Sequence, residues 1–149
     1  MQHKFAHIAK EDRGSSLVET AVLMPVLMLL FVGTVNFGRA YYSAIEVSAA
    51  AEAGALYGVQ NPTDVSGMVA ASKLDAANLS SLSPVATYGC ECSDGSSAVA
   101  SCGTAPTCTY NVVNYVEVDT SYIYTPIIKY PVLGSAVTLH GSARMRSAH

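Results

Sequence analysis

Four cysteines are the residues whose type and spacing point most directly to chemistry: Cys90, Cys92, Cys102 and Cys108. An even number of cysteines in one part of a small chain predicts disulfide bonds formed in an oxidising compartment. A structural zinc site is the alternative, but a Cys-x-Cys pair followed by a Cys-x5-Cys pair lacks the two-residue spacing typical of such sites. We therefore expect disulfide bonds, no metal ion and no cofactor.

The pairing of these cysteines stays open, because four cysteines can pair in three ways. Gly, Ser and Pro fill much of residues 94–107, which predicts a long connection between two antiparallel strands. If the segments on either side of it form a hairpin, nested bonds Cys92–Cys102 and Cys90–Cys108 are the natural expectation. Each bond would stabilise a small domain by about 2 to 4 kcal/mol.

Glu19 is the next candidate, because it stands just before a long uncharged stretch. Residues 20–38 carry no charge, and as a helix they would span about 28 Å. That length is close to the roughly 30 Å hydrocarbon core of a bilayer. A carboxylate deep in lipid costs about 2.5 to 3.5 kcal/mol, and less near the interface. Glu19 therefore either needs a charged partner or is an interfacial residue at a helix start.

Basic residues on the N-terminal side of the apolar stretch predict its orientation. Lys4, Lys10 and Arg13 precede the stretch, and Arg39 alone follows it closely. Lys and Arg favour the cytoplasmic side, so we expect the N-terminus to stay in the cytoplasm. A cleavable secretory signal is the competing interpretation, with small residues at 48–55 imitating its cleavage site. The length of the apolar stretch and the carboxylate before it argue against such a signal.

The segments RGSSLVETAVLMPVLMLLFVGTVNFGRAYY and AAEAGALYG resemble the TadE/TadG-like subunits of the tight-adherence (Tad, Flp) pilus system. The resemblance covers about residues 13–58. It implies that a membrane-embedded aspartyl prepilin peptidase cuts between Gly14 and Ser15. It also implies that Glu19 pairs with the new α-amino group of an adjacent subunit. Many Tad pilins have tyrosine after the glutamate, whereas this sequence has Thr20, which favours a minor subunit.

The residues around this site suit these roles physically. Gly14 has no side chain and is easily drawn extended into a protease cleft. Ser15 or Ser16 can cap the helix that follows, and an acidic residue in its first turns favours the helix dipole. Pro25 and Gly33 lie within the apolar stretch, where they either make the helix flexible for extraction or are ordinary membrane-helix residues.

The predicted fold is α+β and pilin-like. We expect a cytoplasmic leader at 1–14, a transmembrane and stalk helix at 15–58 that stops at Gly58, and an exported head at 59–149. Small residues at 49–55 leave a slim helix surface for another helix or for the protein's own sheet.

Within the head, Thr63 is expected to cap a second helix that reaches about residue 80, and residues 80–84 are expected to form a loop. The apolar stripe of this second helix consists of Val65, Met68, Val69, Leu74 and Leu79. Strands are expected from about residue 85, most clearly at 111–124 and 137–145, where apolar and polar residues alternate. They predict an antiparallel sheet of three or four strands. Residues 122–134 predict a rigid apolar loop that closes over the protein's own core or contacts a neighbouring subunit or the membrane.

The sequence carries no enzyme signature. It contains no GxSxG elbow, phosphate loop or HExxH motif, while Glu117, Asp119 and His140 fit a solvated strand surface. A formal net charge of -3 without a basic stripe indicates no nucleic-acid binding.

We therefore expect a structural minor pilin of the bacterial inner membrane, crossing it once. Its expected partners are other pilin subunits, the prepilin peptidase, the inner-membrane pilus assembly platform and membrane lipid. The alternative is a signal-peptide-exported or membrane-anchored binding or adhesin module that never enters a pilus.

Overall fold

A computed structural model describes residues 13–127 and 136–147, and for residues 13–16 it describes the backbone alone. The elements in chain order are α1 (Arg13–Gln60), α2 (Val65–Asp75), β1 (Ser83–Cys92), β2 (Ala98–Val99), β3 (Val112–Tyr124) and β4 (Val137–Ser147). The strands form one antiparallel sheet in the order β2-β1-β3-β4. This sheet packs against α1 and α2, so the predicted α+β pilin-like fold is confirmed, with four strands.

The chain divides into two compact units, with the boundary between Phe37 and Gly38. We call them the N-terminal unit and the C-terminal unit. In the described part of the N-terminal unit, apolar side chains on several sides of α1 are exposed, for example Leu23, Met24 and Leu29. Within the described residues, α1 is the one helix long and apolar enough to cross a membrane.

The C-terminal part of α1 is narrow because small residues face the rest of the C-terminal unit. Ala51 and Ala55 are fully buried in a core with Met68, Val116 and Val118. A second core cluster consists of Val47, Ala50, Ala76, Leu79 and Leu82. The predicted slim surface at 49–55 thus packs largely on the protein's own sheet and second helix.

The predicted helix stop at Gly58 is wrong, because α1 continues to Gln60. A Cβ added at Gly58 would stand 2.8 Å from the Met68 sulfur, so this glycine provides space for packing. The helix ends just before Asn61 and Pro62, since a residue that precedes proline is disfavoured in helical conformation.

The second helix also differs from the prediction at both ends. Its N-cap is Asp64 rather than Thr63, and the Asp64 carboxylate accepts hydrogen bonds from Gly67 N at 2.9 Å and Ser66 Oγ at 2.7 Å. The helix ends at Asp75 instead of near residue 80, and Leu74 of the predicted stripe is 78% exposed. Ser72 is buried although Leu74 is not, because the Ser72 hydroxyl is satisfied by donating to Met68 O within the helix.

The predicted alternation of strands β3 and β4 is confirmed. Val116, Val118 and Tyr124 are buried on the face of β3 toward the helices, and Ala143 is buried beside them on β4. Two features were missed. Strand β1 begins at Ser83, inside the predicted loop, and the predicted long connection at 94–107 contains the two-residue strand β2.

Gly54→Val is expected to destabilise the C-terminal unit. A Cβ at this position would meet the Met68 backbone oxygen at 2.9 Å and Val118 Cγ1 at 3.2 Å, as well as Ser72 Oγ. Overpacking against backbone should lower the free energy of unfolding by about 2 to 3 kcal/mol. The matched control is Gly38→Ala, which meets nothing within 4 Å. Thermal unfolding of the full chain in detergent micelles, followed by tyrosine near-ultraviolet circular dichroism, measures both, and equal stabilities would contradict the packing described.

Candidate functional site

The residues of the predicted processing site belong to the first turn of α1. The backbones of Gly14 and Ser15 are helical, so neither Ser15 nor Ser16 precedes the helix as the predicted cap would. Glu19 is exposed and lies about 7.5 Å further along the helix axis than Gly14. Glycine is the weakest helix former after proline, so Gly14 marks the point where this turn opens most readily.

The helix beyond Glu19 presents apolar side chains that are exposed among the described residues of the N-terminal unit. Exposed fractions reach 68% at Leu29 and 76% at Phe37. Pro25 lies inside the helix and supplies no backbone N–H, so the hydrogen bond to the carbonyl four residues earlier is missing there. Gly33 is half-buried. Such a surface is stable only when lipid or other helices cover it.

Comparison with protein families identifies this segment. The family model described as TadE-like protein matches residues 14–56. Residues 14–56 are thus similar to TadE-like proteins. TadE-like proteins are components of the Tad pilus system. The match begins at Gly14 and ends within α1, so the sheet lies outside it. No curated protein and no solved structure matches the chain.

All four cysteines form disulfides, as predicted, but the nested pairing is wrong. The bonds are Cys90–Cys102, with a Cα–Cα distance of 5.2 Å, and Cys92–Cys108, with 5.5 Å. Both distances fall in the usual range for disulfide-linked residues. Cys90 and Cys92 lie two apart on β1, so their side chains leave the same face of the sheet.

The course of the chain between the cysteines explains the pairing. Immediately after Cys92 the chain turns, with Cys92 N bonded to Ser97 O at 2.8 Å, and returns along β1 as β2. Val99 pairs with Cys90, so residues beyond it continue past that cysteine and bring Cys102 to Cys90. The chain must then come back to start β3 beside Cys92, which brings Cys108 to Cys92.

A polar cluster covers the opposite face of the sheet at this end. Glu91 is 8% exposed and accepts hydrogen bonds from Arg144 Nη2 at 2.5 Å and from Arg146 Nε at 2.7 Å. Arg144 also stacks 3.8 Å above the ring of Tyr115, and its Nη1 lies 3.8 Å from Glu117 Oε2. Since both arginines are on β4 and Glu91 is on β1, the cluster bridges the strand between them.

Sequence reasoning missed this cluster and assigned Glu117 to a solvated face. The available signal was the polar alternation of β4, which places Arg144 and Arg146 on one face, together with a carboxylate between two cysteines. The hydrogen bond from Arg146, together with the positive charge of Arg144, holds the pKa of Glu91 below its ordinary value, although burial acts in the opposite direction.

Elsewhere the described residues offer little for chemistry. No three His, Cys, Asp or Glu side chains in residues 13–127 and 136–147 are placed to hold a metal ion. His140 is exposed on β4, as predicted. The predicted apolar loop at 122–134 begins within β3, and its residues 128–134 lie outside the described part of the chain.

Glu91→Gln is expected to lower stability at neutral pH by about 1 to 2 kcal/mol, because water partly screens the two half-exposed arginines. The folded-state pKa lies below the ordinary value of 4.5. The carboxylate therefore contributes fully above that value, and the contribution is lost as the pH falls through the folded-state pKa. Chemical unfolding from neutral to acidic pH should show a difference between wild type and variant that shrinks with acid. Glu52→Gln, at an exposed position on α1, should follow the wild-type profile.

Proposed function

We propose that this TadE-like chain is a minor pilin subunit that helps to assemble a Tad-type pilus used in surface adhesion. It is inserted in the bacterial inner membrane with its N-terminus in the cytoplasm. A prepilin peptidase cuts it between Gly14 and Ser15. Residues 1–14 are then a leader, residues 15–60 the membrane and stalk helix, and residues 61–149 a periplasmic head. Its role is structural rather than catalytic.

The observation that carries this proposal is the extent of the TadE-like match. It starts at Gly14 and covers the exposed apolar part of α1 together with the stalk. An N-terminal signal that is removed would need only a short apolar stretch. A membrane helix that continues without interruption into the core of the C-terminal unit supports a retained anchor instead. Two disulfides support a head in an oxidising compartment.

Glu19 is the proposed assembly residue. In lipid its carboxylate is costly, and the α-amino group released at Ser15 by cleavage is equally costly. Pairing of the carboxylate of one subunit with the amine of its neighbour neutralises both as the helices leave the bilayer. Pro25 and Gly33 would let the helix adjust during that transfer.

The proposed partners follow from the same helix. Other pilin and minor pilin subunits cover its apolar surface in the filament, and membrane lipid covers it before assembly. The prepilin peptidase and the inner-membrane assembly platform act on the N-terminal segment.

N-terminal sequencing of the protein purified from its native membrane tests the proposal most directly. The mature chain is expected to start at Ser15, and Gly14→Leu should leave the leader attached, because a side chain at that position obstructs the protease cleft. A start near Ala50 would support a removed secretory signal. An intact Met1 would support an uncleaved anchor outside a pilus. Either result contradicts the proposed processing.

Glu19→Ala is expected to insert and to be cleaved normally but to abolish incorporation into the pilus, because the α-amino group of the neighbouring subunit loses its partner. Pilus yield after shearing, together with immunodetection of this subunit, measures the effect. The matched control is Glu52→Ala, which removes an exposed glutamate further along the same helix and should leave assembly unchanged. Normal incorporation of the Glu19→Ala chain would rule out this role for the carboxylate.

A further inference from the structure

Two hydrogen bonds define how α1 and β3 run past each other inside the C-terminal unit. Ser147, which pairs with Asn114 of β3, donates to Val59 O at 3.4 Å. Thr120 of β3 donates to Val47 O at 2.7 Å. The strand therefore advances from Asn114 to Thr120, about 20 Å, while the helix goes back from Val59 to Val47, about 18 Å. The helix and the strand thus run antiparallel, and the lengths that they cover between the two hydrogen bonds are closely matched.

The end of β3 lies further along the same antiparallel pair. Tyr124 lies four residues beyond Thr120, about 13 Å along the strand. That distance corresponds to about nine helix residues before Val47, which is Gly38. Val137, the first residue of β4, pairs with Tyr124 and is therefore at the same level. The β3–β4 end of the sheet thus lies level with Gly38, where the C-terminal unit begins.

This end of the unit exposes apolar and aromatic side chains. Their exposed fractions are 63% for Tyr41, 62% for Tyr42, 57% for Ile123, 65% for Ile127 and 48% for Val137. We call these five residues the basal surface. Single exposed apolar residues are ordinary, but several gathered at one end of a small unit indicate an interaction surface.

The two ends of the sheet differ in the number of charged side chains. In the described residues of 38–45, 121–127 and 136–140, Arg39 is the one side chain with a full charge at neutral pH. At the other end of the sheet, Glu91 lies between Arg144 and Arg146, and Asp94 follows in the next turn. Glu46, one turn further along α1, lies beside the Tyr42 hydroxyl. The basal surface thus has one charge of each sign near it and is suited to an apolar partner, whereas the opposite end is suited to water.

We propose that the basal surface docks on the interfacial region of the bilayer that α1 enters. The inference rests on the proposed membrane insertion of α1 and adds a second membrane contact, made by the sheet. We assign this surface to lipid because the apolar stretch at 20–38 leads directly into this end of the unit. A bilayer around that stretch therefore reaches the level of Gly38. Tyrosine side chains favour the headgroup region, where the ring is shielded and the hydroxyl stays wet. Arg39 adds attraction to anionic headgroups.

Tryptophan fluorescence can test this contact cleanly, because the chain contains no tryptophan. Full-length Ile127→Trp is placed in phosphatidylcholine vesicles whose acyl chains carry bromine either near the headgroup or near the bilayer centre. The matched control is Tyr110→Trp, since Tyr110 is exposed to 69% and precedes β3 at the other end of the sheet. Phe31→Trp, inside the apolar segment, reports on the membrane span itself. Ile123→Trp replaces Ile127→Trp if the latter does not fold.

The expected result is loss of emission from Ile127→Trp, stronger with shallow than with deep bromine, and unchanged emission from Tyr110→Trp. Phe31→Trp should be quenched most by deep bromine. If Phe31→Trp is quenched while Ile127→Trp behaves like Tyr110→Trp, the docking inference is overturned and the membrane span stands. If Phe31→Trp is not quenched, the proposed membrane insertion itself is overturned.

A charge in the basal surface should weaken the contact. Val137→Asp combined with Ile127→Trp is expected to lose most of the shallow quenching, because a carboxylate resists entering the interface. Tyr110→Asp combined with Ile127→Trp should keep it. Shallow quenching that survives Val137→Asp would contradict docking of this surface. So would protection of Ile127→Trp only when other pilin subunits are added, which would assign the surface to a protein partner.

Discussion

Backbone meets backbone at two glycines where α1 passes the rest of the C-terminal unit, and the other contacts depend on that approach. A Cβ at Gly54 would collide with the Met68 carbonyl, and a Cβ at Gly141 would stand 2.8 Å from the Val47 carbonyl and 2.9 Å from Ser48 Cα. Larger side chains would separate the layers and remove the hydrogen bond from Thr120 to Val47. The close contact therefore fixes both the spacing and the register of helix and sheet.

That register gives the two ends of the sheet different properties. One end has the two disulfides on one face and the Glu91 cluster on the other. There β1 is joined covalently to the connection between β2 and β3, and by ion pairs to β4. The other end lies level with the start of the unit and exposes apolar side chains. The helix residues at this second end continue along the chain directly into the apolar stretch of α1.

Periodic features of the sequence were predictable, whereas features set by turns were not. The alternation of β3 and β4 and the long apolar helix depend on local spacing alone. The disulfide pairing depends on a turn placed directly after Cys92, which sends β2 back along β1. The predicted helix end at Gly58 was wrong, because this glycine lies inside the helix and accommodates the Met68 sulfur. The N-cap is Asp64 and not the predicted Thr63, because the Asp64 carboxylate accepts a hydrogen bond from Gly67 N.

The sequence by itself determined the uncharged stretch at 20–38, the glycine and glutamate before it, the presence of disulfides and the alternating strands, since each is a matter of composition or spacing along the chain. Only the tertiary structure decided which cysteines meet, that Glu91 lies between two arginines of β4, and that the end of β3 lies level with Gly38. These are contacts between residues far apart in sequence. Their physical basis is the register of packed elements, which close approach at Gly54 and Gly141 fixes and local patterns do not encode.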